Sequence, residues 1–161
     1  MDRVDIAKGL LLKELNCSMD TLDDRIIIQK KFYMLQEMGI DFGYSFIWNV
    51  YGPYSSGLTT YIYKLYDFKD EEALNSCRLT GDSREKCRVI NELANDEKLG
   101  LSARPLYELL GSLLFWKKNA NIDESVTDIC KKVNKYKPQF PMDICKVGYQ
   151  LLEEKGIIVN G

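Results

Sequence analysis

Apolar residues recur at three- and four-residue intervals along most of this chain, a spacing that predicts a succession of short amphipathic helices. Asp2 to Leu15 reads as the first, with Ile6, Leu10 and Leu11 on one side and Asn16 closing it. The second starts at about Thr21, places Asp23 and Asp24 at its positive end and stops at Gly39. On a helical wheel Ile27, Ile28, Phe32, Met34, Leu35 and Met38 share one broad face with Lys31 near its middle. Ile26 and Tyr33 fall on the opposite side, among Gln29, Lys30, Gln36 and Glu37. A helix with one wide and one narrow apolar face belongs at the centre of a domain or beside an interface. The stem of Lys31 is expected to pack while its ammonium reaches water or a carboxylate. A buried functional Lys31 is the sharper alternative, and Gln29 on the opposite side is a further candidate functional residue.

The period changes to two at Ser45–Tyr51, where aromatic and β-branched residues predict a strand. Gly52-Pro53 is expected to end it in a turn, and Ser55 or Ser56 to cap a helix over Gly57–Tyr66 with Leu58, Tyr61, Ile62 and Leu65 inward. Asp70–Ser76 reads as a short helical turn, and Arg78–Gly81 as a loop or second short strand. Ser83 is the expected cap of a helix carrying Val89, Ile90 and Leu93. Ser102 and Pro105 open the expected core helix, which runs to Lys117 and Lys118. Gly111 and Ser112 within it leave room for a neighbouring element. An amphipathic pair follows: Val126, Ile129, Cys130 and Val133, then a turn through Tyr136–Pro141, then Ile144, Val147, Leu151 and Leu152. Gly156 ends that pair, and Ile157-Ile158-Val159 reads as a closing strand. The fold class is therefore mainly α: a compact multi-helix single domain over residues 1–161, with one or two short β-strands and a helix-turn-helix-like C-terminal pair.

Composition narrows the chemistry. At 161 residues, 45% hydrophobic and 29% charged, the chain buries roughly 70% of its unfolded surface without needing a staple. Its 22 basic and 24 acidic residues leave a net charge of -2, which speaks against sequence-independent nucleic-acid binding. The five cysteines lack ligand spacing, and no apolar leader or run of ~20 residues is present, so a cytoplasmic protein with reduced thiols and no membrane partner is expected. The absence of histidine removes the commonest general base and metal ligand. No catalytic residues, metal or cofactor are expected, and an enzyme is disfavoured.

Few motifs remain. Glycine-rich phosphate loops are absent, and the acidic runs read as solvated helix surface. The C-terminal pair has the order of a winged-helix DNA reader, and Lys131, Lys132, Lys135 and Lys137 cluster near its turn. Its second helix, however, has Asp143, Lys146, Gln150, Glu153 and Glu154 as its polar positions, and the three acidic groups repel DNA where a reader needs cations or amides. A DNA-binding regulator is the alternative reading. The aromatic group Trp48, Tyr51, Tyr54 and Tyr63 around Gly52-Pro53, with Tyr33 on the second face of the Thr21–Met38 helix, forms the candidate partner-binding surface, since such side chains concentrate binding energy.

The string Ile28-Gln29-Lys30-Lys31-Phe32-Tyr33-Met34-Leu35, followed by a strand ending in Tyr51-Gly52-Pro53-Tyr54-Ser55, resembles the Panacea (SocA-like) domain and its YwgA-like relatives. Leu106–Leu114, Lys137–Phe140 and Leu151–Gly156 are similar to later helices of the YwgA-like branch, whereas Asp67–Leu99 has no counterpart. Lys31 stands where that family usually has an apolar residue. The resemblance implies a helical, non-enzymatic antitoxin or partner-binding domain of toxin–antitoxin and phage-defence modules, its partner a toxin or defence effector.

Overall fold

Asp2, Thr21 and Ser125 each accept a hydrogen bond from the backbone N–H three residues on, and the Asp5, Asp24 and Asp128 carboxylates accept one in turn from the cap residue's own N–H. These capping boxes satisfy donors that a helix start leaves orphaned, and so fix where three helices begin. The computed structural model describes residues 2–67 and 71–159. Among them run α1 (Arg3–Glu14), α2 (Leu22–Glu37), β1 (Ile47–Asn49), β2 (Gly52–Tyr54), α3 (Ser56–Asp67), α4 (Glu71–Asn75), α5 (Gly81–Glu92), α6 (Ala103–Lys118), α7 (Val126–Tyr136) and α8 (Met142–Glu154). The protein is mainly α, with a helix-turn-helix-like pair in α7 and α8. No helix among the described residues is long and apolar enough to cross a membrane.

The core helix is α6, as its sequence predicts. It packs against α2, α7, α8 and β2, and every residue from Leu106 to Leu114 is buried. Gly148 of α8 allows that crossing: a Cβ there would lie 3.0 Å from a Leu113 methyl. The second layer departs from the two-faced reading. Ile26 and every residue from Ile28 to Leu35 of α2 are buried, because the helix is covered by α6, α5 and β2 on different sides. Complete burial brings Gln29, Lys30 and Lys31 inside along with the apolar residues, and each then requires a polar partner.

The hairpin also departs from prediction. Residues 47–49 pair antiparallel with 52–54, with Ile47 opposite Tyr54, Trp48 opposite Pro53 and Asn49 opposite Gly52. The turn is therefore Val50-Tyr51, while Gly52 and Pro53 belong to the second strand. Gly52 has φ +96°, and a Cβ on it would lie 2.8 Å from Ser112 Oγ. Glycine permits both the backbone and the close approach.

Two smaller expectations are corrected. Ile157-Ile158-Val159 forms no strand: the Ile157 and Ile158 N–H groups donate to Leu152 O at 2.9 and 3.1 Å behind Gly156 (φ +73°), folding both isoleucines into the core. Thr80, not Ser83, caps α5, accepting from the Ser83 N–H. Arg78–Thr80 is a loop; Asp70 lies outside the described residues.

Candidate functional site

Pro53 has no N–H, so the Trp48–Pro53 pair is the one without ladder hydrogen bonds, and the Pro53 carbonyl points away from β1. Lys30 Nζ meets it at 2.8 Å. Beyond the strand, Gln29 takes both polar groups of Ser55: Oε1 accepts from its N–H at 2.9 Å, and Nε2 donates to its carbonyl at 3.1 Å. Two side chains of one helix thus occupy the outer edge of β2 where a third strand would pair. The Ser55 hydroxyl is left to accept from Leu58 N and start α3. The adjacent Gln29-Lys30 dipeptide and the Tyr51–Ser55 string are therefore complementary halves of one junction.

A second set of contacts holds the turn. Lys137, in the loop after α7, donates to Val50 O at 2.5 Å and to Glu108 Oε1 at 3.3 Å. Arg104 Nη1 reaches the other oxygen, Oε2, at 3.2 Å. Lys30, Glu108 and Lys137 are each at most 2% exposed. Ser112 Oγ donates to Glu108 O, which settles its hydroxyl in the apolar helix. Gly111 gives the Lys30 stem its passage, since a Cβ there would meet Lys30 Cδ at 3.2 Å. Burial disfavours the charged amine and pulls Lys30 down to about 7; the Glu108 carboxylate opposes the shift and Lys137 adds to it. Lys137 is also lowered by burial, against the pull of Glu108.

Above this buried junction the surface is apolar. Val50 at the turn is 76% exposed, and Tyr51 and Tyr136 are exposed as well; Ile47, 63% exposed, lies on the face of β1 opposite Trp48. Trp48 is half-buried, 5.1 Å from the Trp116 ring and 5.9 Å from Tyr136, which stacks on Trp116 at 5.5 Å. Phe115 closes the group from below, 5.6 Å from Trp48. Cations rim it: Arg104 lies 6.0 Å from the Tyr51 ring, Lys132 5.5 Å from Trp116 and Lys135 5.6 Å from Tyr136.

The residues nominated from sequence separate accordingly. Trp48 belongs to this aromatic group, and Tyr51 is exposed at the adjoining turn. Tyr54 is half-buried, and its hydroxyl accepts from Thr59 Oγ1 at 3.0 Å, tying it to α3. Gly52 and Pro53 are buried in the junction. Tyr33 is 2% exposed, packed edge-on against Phe46 at 5.0 Å, and presents nothing to a partner; burial on all sides of α2 is the reason. Tyr63 is exposed, but about two turns along α3 from the hairpin. Lys31 is 8% exposed and meets no carboxylate among the described residues. Its Nζ donates to Leu15 O at 2.7 Å and Asn91 Oδ1 at 3.1 Å, so it closes the C-terminus of α1 and joins α1, α2 and α5. Of the four lysines near the C-terminal turn, Lys137 is buried and Lys132 pairs with Glu124 at 2.5 Å, which leaves Lys131 and Lys135 exposed.

Lys30, Glu108, Trp116 and Tyr136 were not among the residues nominated from the sequence, and Lys137 stood out only as part of the basic cluster near the C-terminal turn. The available signal was charge inside apolar runs: Glu108 stands between Leu106 and Leu109, as Lys30 does between Ile28 and Phe32. No group of three or more Cys, Asp or Glu side chains is arranged to hold a metal among the described residues. A mostly apolar cavity of about 390 Å³ lies between α1, α2, α3 and α4, and none of the nominated residues lines it. Comparison of the chain with family models, curated proteins and solved structures finds no match in any of the three.

Proposed function

We propose that this protein is a non-catalytic binding module that engages another protein through the hairpin turn and its flanking aromatics. The observation that carries this reading is the pairing of exposure with anchorage. Val50, Ile47 and Tyr51 project into solvent from a hairpin whose backbone is pinned from below by Gln29, Lys30 and Lys137. Anchored side chains lose little freedom on binding, so more of their contact energy appears as affinity. The resemblance to antitoxin and defence-associated domains makes a toxin or defence effector in the cytoplasm the proposed partner class.

A non-catalytic role is supported by the seclusion of Lys30, the most strongly perturbed amine among the described residues. Lys30 is 1% exposed and spends its ammonium on a backbone carbonyl. The DNA-reading alternative is weakened by the lysines near the C-terminal turn, one of them buried and another ion-paired. The test is quantitative capture of partner from cells that express the protein, comparing the wild-type chain with Val50→Asp and Tyr51→Ala. Both variants should melt as wild type and lose partner, Tyr51→Ala by roughly 1–3 kcal/mol of binding. Normal capture by both folded variants would contradict the proposal.

A further inference from the structure

The two edges of the hairpin are treated differently. The outer edge of β2 is sealed: Pro53 has no donor, Lys30 takes its carbonyl, and Gln29 takes both groups of Ser55. The outer edge of β1 has no such cover. Because Trp48 and Pro53 form the pair without ladder bonds, the Trp48 N–H and C=O point away from β2. No backbone or side-chain partner meets them among the described residues. β2 lies against α2 and α6, whereas the close neighbour of β1 is β2. Ile47 and Asn49, on either side of Trp48, are exposed.

Open strand edges recruit strands, and folded proteins usually blunt them with proline or an inward charge. Here those devices stand on β2 alone. The charge beside the aromatic surface indicates what would lie there. Lys135, 5.6 Å from the Tyr136 ring, is exposed with no carboxylate partner among the described residues, whereas Arg104, beside Tyr51, is already paired with Glu108 and Asp23. We infer that the edge of β1 accepts an extended, acidic-and-apolar segment of the partner protein as a third strand, pairing at Trp48 and laying its apolar side chains against the Val50, Tyr51 and Tyr136 surface. This rests on the binding function proposed above and specifies the form of the ligand. Main-chain bonds would supply affinity, and the aromatic and cationic rim would supply selectivity.

The test uses the full chain, labelled with nitrogen-15, and two synthetic six-residue peptides with blocked ends, one alternating glutamate with valine and the other lysine with valine. In the free protein the Trp48 amide should exchange with solvent much faster than those of Asn49 and Gly52. Millimolar acidic peptide should slow Trp48 exchange roughly tenfold and shift the resonances of residues 46–51. The lysine peptide should do neither. Protection of Trp48 in the free chain would overturn the open edge, and the acidic peptide leaving Trp48 unprotected would overturn strand addition. Equal binding of both peptides would overturn the acidic assignment. None of these results alters the outcome expected for partner capture by Val50→Asp and Tyr51→Ala, so the strand proposal fails separately from the binding function.

Discussion

Glu108→Gln removes the single negative charge from a buried site that holds Lys137, adjoins Lys30 and is reached by Arg104 from the partly exposed side. The substitution keeps the shape of the side chain and one acceptor oxygen, so its effect is electrostatic. At 3.3 Å and an effective dielectric near 20, the Glu108–Lys137 attraction alone has a gross value of about 5 kcal/mol. Desolvation of both partners offsets much of that, but once the carboxylate is neutral the desolvation of Lys137 remains with nothing to balance it. We expect a loss of about 3–5 kcal/mol in unfolding free energy, read from urea denaturation at pH 7. Lys137→Met in the Glu108→Gln background should recover most of the loss, because it removes the stranded cation. A loss below about 1 kcal/mol, or two substitutions additive within about 0.5 kcal/mol, would refute the buried network.

Lys30→Met gives a pH signature. Folded Lys30 titrates near 7 and the unfolded residue near its ordinary 10.5, so between those values the unfolded state binds the extra proton and stability rises with pH. The stability of wild type relative to Lys30→Met should climb from pH 7 towards 10 at up to about 1.4 kcal/mol per unit; a flat difference would place the amine in solvent. Lys31→Met should cost about 1–3 kcal/mol in the same denaturation assay, because Leu15 O at the end of α1 loses its donor. No loss, or a gain, would mean that the ammonium is solvated after all.

Much of the fold was written in local chemistry. The helix starts at Asp2 and Thr21, the left-handed glycine at position 39 and the Leu106–Leu114 run each depend on interactions within a few residues, so they follow from spacing alone. The space implied by Gly111-Ser112 was also legible, though not its occupants, the Lys30 stem and the backbone of Gly52. What escaped depends on elements distant in sequence. Lys30 finds Pro53 23 residues away, and Lys137 finds Val50 87 residues away. Angular reading of α2 sorted its residues into two faces, yet neighbours on several sides buried most of both, and Gln29 and Lys30 from the narrower face became the clamp. The hairpin register shifted for a related reason: Gly-Pro usually marks a turn, but here glycine is needed for contact with Ser112, and proline leaves a carbonyl for Lys30. Of the candidate surface, Trp48 and Tyr51 were identifiable as aromatics near a turn. Trp116 and Tyr136 join them only through the packing of α6 against α7.

The claim that the hairpin tip is the binding surface is tested most directly by photocrosslinking in cells that express the protein. A benzophenone side chain is placed singly at position 50 or 51, and at position 150 on the exposed face of α8 as the comparison. The account predicts a discrete protein adduct from positions 50 and 51, absent from position 150 and suppressed when Glu108→Gln loosens the hairpin. An adduct to DNA or protein from position 150, with none from the turn, would contradict it and move the interface to the C-terminal helix pair.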